Sequence, residues 1–395
     1  MLRNAYPLPL RIDGAAPYRA LWFACFLGYG AIGMTIQVMP AYAHERFGAN
    51  AITAGLAVTI GSLATMAARP IAGRFADKRG GRRVVMAGSI LGLAGGIGHV
   101  VATTLPLLIL ARLVLGAGEG ALFTGAIGWV LARAEPSRRG KIAGHFGLSM
   151  WTGLAAGPVC AAVILAVGTY RSVWIAASIL PAFAWILVAR TPRASPQSPV
   201  ATDVRRAFFP RAAWVPGASN VCASIGYGVI AAFLLPRFAA LHLVGQNFAL
   251  AVFGIAFMAT RFIGSASVDR CGARRVLLAA FLVEAIGLAG LSFAQTAWLA
   301  FASTALTGAG LSLLFPCLAS LVAEAADPSE RAAAVGAVTS AWDLGLAAGG
   351  PLGGLVAGAS NSGPFALGAV AALIATLPIS AIPRRSAVLP ASQRG

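Results

Sequence analysis

Arg69-Pro-Ile-Ala-Gly73-Arg-Phe-Ala-Asp77-Lys-Arg-Gly80-Gly-Arg82-Arg83-Val84 returns 192 positions later as Arg261-Phe-Ile-Gly-Ser-Ala-Ser-Val-Asp269-Arg-Cys-Gly272-Ala-Arg274-Arg275-Val276. Arg, Ile, Asp, Gly, Arg-Arg and Val recur in register. The same shift lays Gly116 on Gly308, Gly118 on Gly310, and Gly153-Leu-Ala-Ala-Gly157 on the identical Gly345-Leu-Ala-Ala-Gly349. A slightly larger shift aligns Gly28-Tyr29-Gly30 with Gly226-Tyr227-Gly228. Glycine matches arise by chance in a chain with 47 glycines, but a matched Asp, Gly and Arg-Arg on equivalent loops do not. Repetition on this scale dictates architecture, and the chain reads as two homologous halves.

Composition says where those halves reside. Of 395 residues 58% are hydrophobic and 11% charged, and the mean hydropathy is +0.80. A soluble chain is about 45–50% apolar and about 25% charged, so a soluble domain, a secreted scaffold and a disordered chain are excluded. A membrane helix needs roughly 20 apolar residues, and apolar runs lie near 21–43, 51–74, 84–103, 105–131, 141–167 and 171–189. A Pro-rich polar stretch follows, and six further runs lie near 213–236, 247–268, 276–294, 297–324, 332–359 and 364–382. The reading is an all-α polytopic membrane protein with twelve transmembrane helices in two pseudo-symmetric six-helix bundles. A tail of 1–18 precedes the first bundle (19–190), a linker of 191–210 leads to the second (211–384), and a tail of 385–395 ends the chain. The Ala41-Tyr42-Ala43 ending of the first run mimics a signal-peptide cleavage site. The run is too long for one, and its counterpart in the second half keeps it in the mature protein.

The net charge of +18 raises a nucleic-acid partner, since a basic face is the footprint of such a binder. The charges sort by side instead. The connections after the second, fourth, eighth and tenth runs, the linker and both tails carry most of the basic residues, whereas the opposite connections hold only Arg46, Arg171 and Arg237, and Arg69, Arg112 and Arg261 fall inside runs. This is the positive-inside bias, with both termini cytoplasmic and no nucleic acid. The five cysteines are widely spaced without a C-x-x-C and read as packed thiols. No thiol or His cluster points to a metal, and no cofactor is implied. Gly28-Tyr-Gly30-Ala-Ile-Gly33 matches a dinucleotide-binding pattern but lies within a membrane run, with no strand before it.

The loop Gly73-Arg-Phe-Ala-Asp77-Lys-Arg-Gly80-Gly-Arg82-Arg83 resembles the G-x-L-A-D-R-x-G-R-K motif of the major facilitator superfamily, with Phe75 for Leu and Gly81 at the first basic position. The degenerate copy through Asp269, Gly272, Arg274 and Arg275 strengthens the likeness, which spans nearly the whole chain. It implies bundles flanking a central cavity lined by helices 1, 4, 7 and 10, with alternating access by rocking. It also implies that Asp77 latches the inner gate onto helix 11, and that Asp269 does the mirror job on helix 5. A carboxylate at a helix N-terminus is favoured by about 0.3–1 kcal/mol. A topology signal is the other reading of these loops.

An ionisable group at mid-bilayer costs at least about 2.5–3.5 kcal/mol, so each one is a functional candidate. Seven residues bring a helix back to within about 20°, which places Arg112, Gly116, Glu119 and Phe123 on one stripe of the fourth helix. Glu119 is the candidate proton or cation-substrate group and Arg112 its electrostatic modulator; a structural ion pair is the alternative. Asp343 on the eleventh helix serves a second proton step or pairs across the interface between halves. Glu284, on an outer helix, reads as snorkelling or packing. Arg69 and Arg261 read as braces of the Asp77 and Asp269 loops. The Arg112 position resembles the helix-4 Arg of proton-coupled members, and Gly118-Glu119 with Thr124-Gly125-Ala126 and Trp129 resembles bacterial arabinose and metallophore exporters.

Gly153, Gly157 and Pro158 resemble the antiporter G-x-x-x-G-P motif, although the Gly-Gly that follows it in the family is replaced around Cys160 and Ala161. Tyr29, Tyr227, Trp151 and Trp342 fall at mid-span, away from the usual interface belts, as cavity-wall candidates or core. The sequence thus reads as a bacterial inner-membrane transporter exporting a small polar or amphipathic solute against protons, as a monomer. Proton-coupled uptake, and a non-transporting receptor or scaffold, are the alternatives. If Asp77 is a latch, Asp77→Asn changes the reactivity of cysteine probes on the cytoplasmic side; unchanged reactivity and transport leave only the topology role.

Overall fold

A computed structural model describes residues 17–135, 139–192, 210–327, 330–358 and 361–381. The expected tails, at 1–16 and 382–395, and the body of the expected linker, at 193–209, lie outside those residues. The described chain is helical: α1 (Tyr18–Phe47), α2 (Ala51–Arg79), α3 (Gly81–Val101), α4 (Leu105–Ala132), α5 (Arg139–Val167), α6 (Tyr170–Ala189), α7 (Trp214–Ala240), α8 (Ala249–Cys271), α9 (Ala273–Phe293), α10 (Ala297–Ala325), α11 (Arg331–Ala357) and α12 (Gly363–Ser380). Eleven are long and apolar enough to cross a membrane by length and composition. The other, α11, has 27 residues, about 40 Å at 1.5 Å per residue. Side chains such as Phe23, Ile71 and Ile263 stand exposed on the outside, as hydrocarbon surroundings demand.

Local chemistry sets the helix ends. The Asn50 side chain accepts from the Thr53 N–H at 2.9 Å and caps α2. Gly80 and Gly272 end α2 and α8 with φ of +85° and +83°. That conformation is open to glycine and strained for other residues, which explains why both copies of the motif keep it. The second residue past each glycine then caps the last helix of its own bundle. Arg82 donates to the Ala189 carbonyl at 2.8 Å, and Arg274 donates to the Ile379 and Ser380 carbonyls at 3.1 and 2.6 Å. A cation at a helix C-terminus is favourable.

Small residues let the helices of one bundle close up. A Cβ on Gly153 or Gly157 would collide with the α1 backbone at Phe26, Gly30 or Gly33. A Cβ on Gly345 or Gly349 would do the same with α7 at Val221, Ile225 or Gly228. The repeated Gly-Leu-Ala-Ala-Gly thus packs α5 on α1 and α11 on α7, inside each bundle.

Two helices are interrupted. α2 breaks at Ile60 and α10 at Leu313, each into two segments. Arg112 of α4 donates through Nε to the Val58 carbonyl beside the first break at 3.0 Å, and Arg261 of α8 donates to the Ser312 carbonyl beside the second at 2.8 Å. A broken membrane helix needs such donors.

The halves meet through α2–α11, α5–α8, α1–α7 and α2–α7, tightest toward the end bearing Asn50. There a Cβ on Gly350 would collide with the Gly55 carbonyl and Thr59 Oγ1, and one on Gly354 with the Ile52 backbone. Gln37 reaches the Asn247 carbonyl at 3.4 Å, and Thr59 donates to the Ala347 carbonyl at 3.0 Å. At the other end Asp77 is exposed, with no hydrogen bond or ion pair among the described residues. The expected latch onto helix 11 is therefore not made in this conformation. The Asp269 side chain lies outside the described residues. Gly350→Val should wedge α2 from α11 and raise the reactivity of a cysteine at Ile52 several-fold. An unchanged reactivity would show that this contact does not hold the Asn50 end shut.

Candidate functional site

Arg69 sits on α2 and Asp343 on α11, in opposite halves. Arg69 Nε lies 2.7 Å from Asp343 Oδ2, and Nη2 lies 3.5 Å from Oδ1. Their side chains are 15% and 5% exposed. Asp343 therefore pairs across the interface, one of its two expected roles. Arg69 corrects the expectation: it does not brace the Asp77 loop. The reason is physical, since a buried cation at that depth needs a counter-charge, and Asp77 is drawn out to solvent eight residues further along α2.

Glu119 on α4 stands beside this pair and is partly buried. Thr65, which contacts its carboxyl, lies one helical turn before Arg69 on α2. Thr65 Oγ1 lies 3.4 Å from Glu119 Oε2 and 2.8 Å from the Gly116 carbonyl. A hydroxyl has one proton to donate, and the shorter contact takes it. The Thr65 oxygen is then left to accept from a protonated Glu119. Tyr29 of α1 completes the group, with its buried hydroxyl next to the Glu119 carboxyl but not in hydrogen-bonding geometry with any partner among the described residues. The site can hold Glu119 in either form: the acid bonds Thr65, and the carboxylate attracts Arg69.

Arg112 is on the same stripe but apart from Glu119. It is 5% exposed, and its guanidinium donates to the Val58 carbonyl and to Thr35 Oγ1, both at 3.0 Å. The alternative reading, a structural ion pair tying this helix to a neighbour, is not formed by Arg112 or Glu119 among the described residues.

Of the four aromatic candidates, three converge. Trp151 of α5 stacks on Phe257 of α8 at 4.0 Å between ring centres and meets Trp342 at 6.0 Å and Tyr227 at 6.3 Å. Tyr227 also packs on Trp342 and Phe253. This cluster plugs the space between halves at mid-depth, and a small cavity lined by Gly33, Trp151, Pro158, Tyr227 and Phe257 adjoins it. Tyr29 lies apart, edge-on to Phe123. Arg69, Thr65, Phe253 and Phe257 were missed as site residues. One signal for Arg69 was available: Asp343 is a mid-span acid that lacks a basic residue at helical spacing on its own helix.

Two helical bundles joined across a charged, partly buried centre define the architecture of this membrane protein. The sequence matches the Major Facilitator Superfamily over residues 21–242 and 217–394; the chain belongs to that family. An uncharacterized transporter of this type from Burkholderia mallei (strain SAVP1) is 31% identical over 391 residues, covering 96% of this chain and 93% of its own length. The transporter YhhS of Escherichia coli (strain K12) is 32% identical over 341 residues, covering 84% and 83%. Among solved structures, a point mutant of the nucleoside transporter NupG superposes with a TM-score of 0.75 over 92% of this chain and 99% of that one, at 14% identity. That likeness shows the fold.

Removing one member of a buried ion pair costs about 3–5 kcal/mol, whereas replacing both by apolar groups is close to neutral. Arg69→Met and Asp343→Leu should each lower the melting temperature of the purified protein, and the double variant should recover most of the loss. Equal stability of the wild type and both single variants would show that the pair is not closed in solution.

Proposed function

We propose that this transporter is a proton-coupled exporter of the bacterial inner membrane, exchanging a small polar or amphipathic solute for protons as a monomer with both termini cytoplasmic. The Arg69–Asp343 pair, tying one half to the other with Glu119 at its side, carries the reading. With this orientation the Asn50 end faces outward and is shut, and the Asp77 loop faces the cytoplasm unlatched.

The cycle follows from which acid holds Arg69. In the inward-facing form Glu119 keeps its proton and donates to Thr65, and Arg69 pairs with Asp343 across the interface. Solute entering from the cytoplasm displaces the proton, whose release leaves a carboxylate. A carboxylate in low dielectric attracts a nearby guanidinium strongly, so Arg69 turns from Asp343 to Glu119, and the Asp343 carboxylate it leaves is hydrated by the water that enters as the interface opens. The link between α2 and α11 is thereby cut, the Asn50 end parts, and the solute leaves outward. A proton from outside neutralises Glu119, Arg69 returns to Asp343, and the molecule faces inward again. In this cycle Arg112, fixed to the first break in α2, holds that helix together near Glu119 and adds positive potential. The aromatic cluster of Trp151, Tyr227 and Trp342 forms the apolar wall against which the solute rests, with Tyr29 beside the exchanging proton. The Asp77 latch closes in the outward-facing form.

Everted membrane vesicles test this. Addition of a transported solute, drawn from a panel of sugars, metal chelators and cationic drugs, should dissipate an imposed proton gradient. Glu119→Gln should reduce that solute-dependent flux by more than about tenfold, a barrier increase of about 1.4 kcal/mol. Proton movement that survives the substitution would remove Glu119 from the coupling.

A further inference from the structure

Glu284 of α9 is fully buried, at 0% exposure, and neither of its carboxyl oxygens has a hydrogen-bond partner among the described residues. Its surroundings are close. A Cβ on Gly226 of α7 would collide with Glu284 Oε1, and a Cβ on Gly310 of α10 with the Glu284 backbone. The carboxyl is thus wedged inside the second bundle, and the snorkelling alternative is overturned.

The basic groups of the neighbouring elements are engaged elsewhere. Arg237 of α7 donates to the Ser292 and Ala294 carbonyls at the end of α9. Arg261 of α8 donates to the Ser312 carbonyl, and Arg274 of α9 donates to the end of α12. Arg275, at the start of α9, is exposed. The described part of α12 has no charged residue. On α10, Glu324 is exposed and accepts from Ser320, while Cys317 is buried and apolar in character. On α7, Tyr227 belongs to the aromatic cluster, and Cys222 is half-buried.

The repeat supplies an independent observation. The shift of 192 that relates the halves sets Glu284 on Gly92 of α3 and Gly310 on Gly118 of α4. In the first bundle this place, between Gly28, Gly92, Gly118 and Leu122, is a cavity that also reaches Glu119. In the second bundle a carboxyl side chain occupies it.

We propose that Glu284 is a second proton-binding site, separate from the transport pathway and occupied through the whole cycle. A lone carboxylate there, without cation or donor among the described residues, is strongly disfavoured; the neutral acid avoids the ionic part of that cost. The protonated side chain is a neutral wedge that fills the second bundle, while the first bundle keeps a void beside its own exchanging carboxyl. The two acids divide the work: Glu119 exchanges its proton and Glu284 retains it.

Difference infrared spectra of the purified full-length protein read this directly. The wild type minus Glu284→Gln should show the C=O band of a protonated carboxylic acid at about pH 5 and still at about pH 9. The same band should persist at both pH values in Glu119→Gln, a measurement that does not depend on folding of the Glu284 variant. Glu284→Gln should transport within about twofold of wild type. A band that is replaced by carboxylate bands as the pH rises, or a folded Glu284→Gln that loses proton movement, would overturn the proposal. Loss of transport in Glu119→Gln with the band intact bears on the coupling site alone.

Discussion

A guanidinium and a carboxylate held between two halves of a membrane protein form the constraint from which the rest follows. Arg69 and Asp343 lie where neither charge is tolerated alone, so each half depends on the other for neutrality. The pair does this at the α2–α11 interface. The repeat sets Arg261 opposite Arg69 but sets Trp151 opposite Asp343. At the related α5–α8 interface the link is accordingly aromatic: Arg261 lies over the Phe257 ring at 5.9 Å, and Phe257 stacks on Trp151. Two interfaces with one ancestry have diverged in kind. An aromatic stack is indifferent to protons, whereas an ion pair beside a third ionisable group responds to them. In the proposed cycle that asymmetry places sensitivity to protonation on one side of the molecule.

The proposed rocking requires that each bundle move as a body. Glycine packing of α5 on α1 and of α11 on α7 supplies the rigidity, because close backbone approach leaves few alternative arrangements. The interruptions of α2 and α10 supply local give, and an arginine from the neighbouring helix satisfies the backbone at each. α2 combines both properties. Its first segment seals the Asn50 end against α11, its break is held by Arg112, and its second segment carries Arg69 and then Asp77. A displacement of Arg69 is therefore transmitted along a helix that touches both ends of the interface.

The fold was legible in the sequence because hydrocarbon leaves few options. Apolar runs of spanning length and a repeated Asp-x-x-Gly-x-Arg-Arg loop led to the twelve helices described. The site was legible in part. Glu119 and Asp343 declared themselves as mid-span acids, and the helical stripe placed Arg112 on the same face as Glu119. What the sequence hid was partnership across the halves. Arg69 lies eight residues from Asp77 on one helix and 274 residues from Asp343, so the nearer acid looked like its partner. Trp151 and Tyr227 were legible as buried aromatics, but their meeting with Trp342 is a property of how the bundles dock. The interruption of α2 at Ile60 falls directly before Gly61-Ser62, a pair that permits a kink, but in a chain with 47 glycines it does not stand out.

The claim that the protonation state of Glu119 decides whether α2 and α11 stay joined is open to direct measurement. Spin labels at Ile52→Cys and Gly358→Cys, near the Asn50 ends of the two helices, report their separation in the full-length protein. Raising the pH should lengthen the distance in the otherwise native chain and leave it short in Glu119→Gln. A distance that changes with pH equally in both, or in neither, would contradict the account.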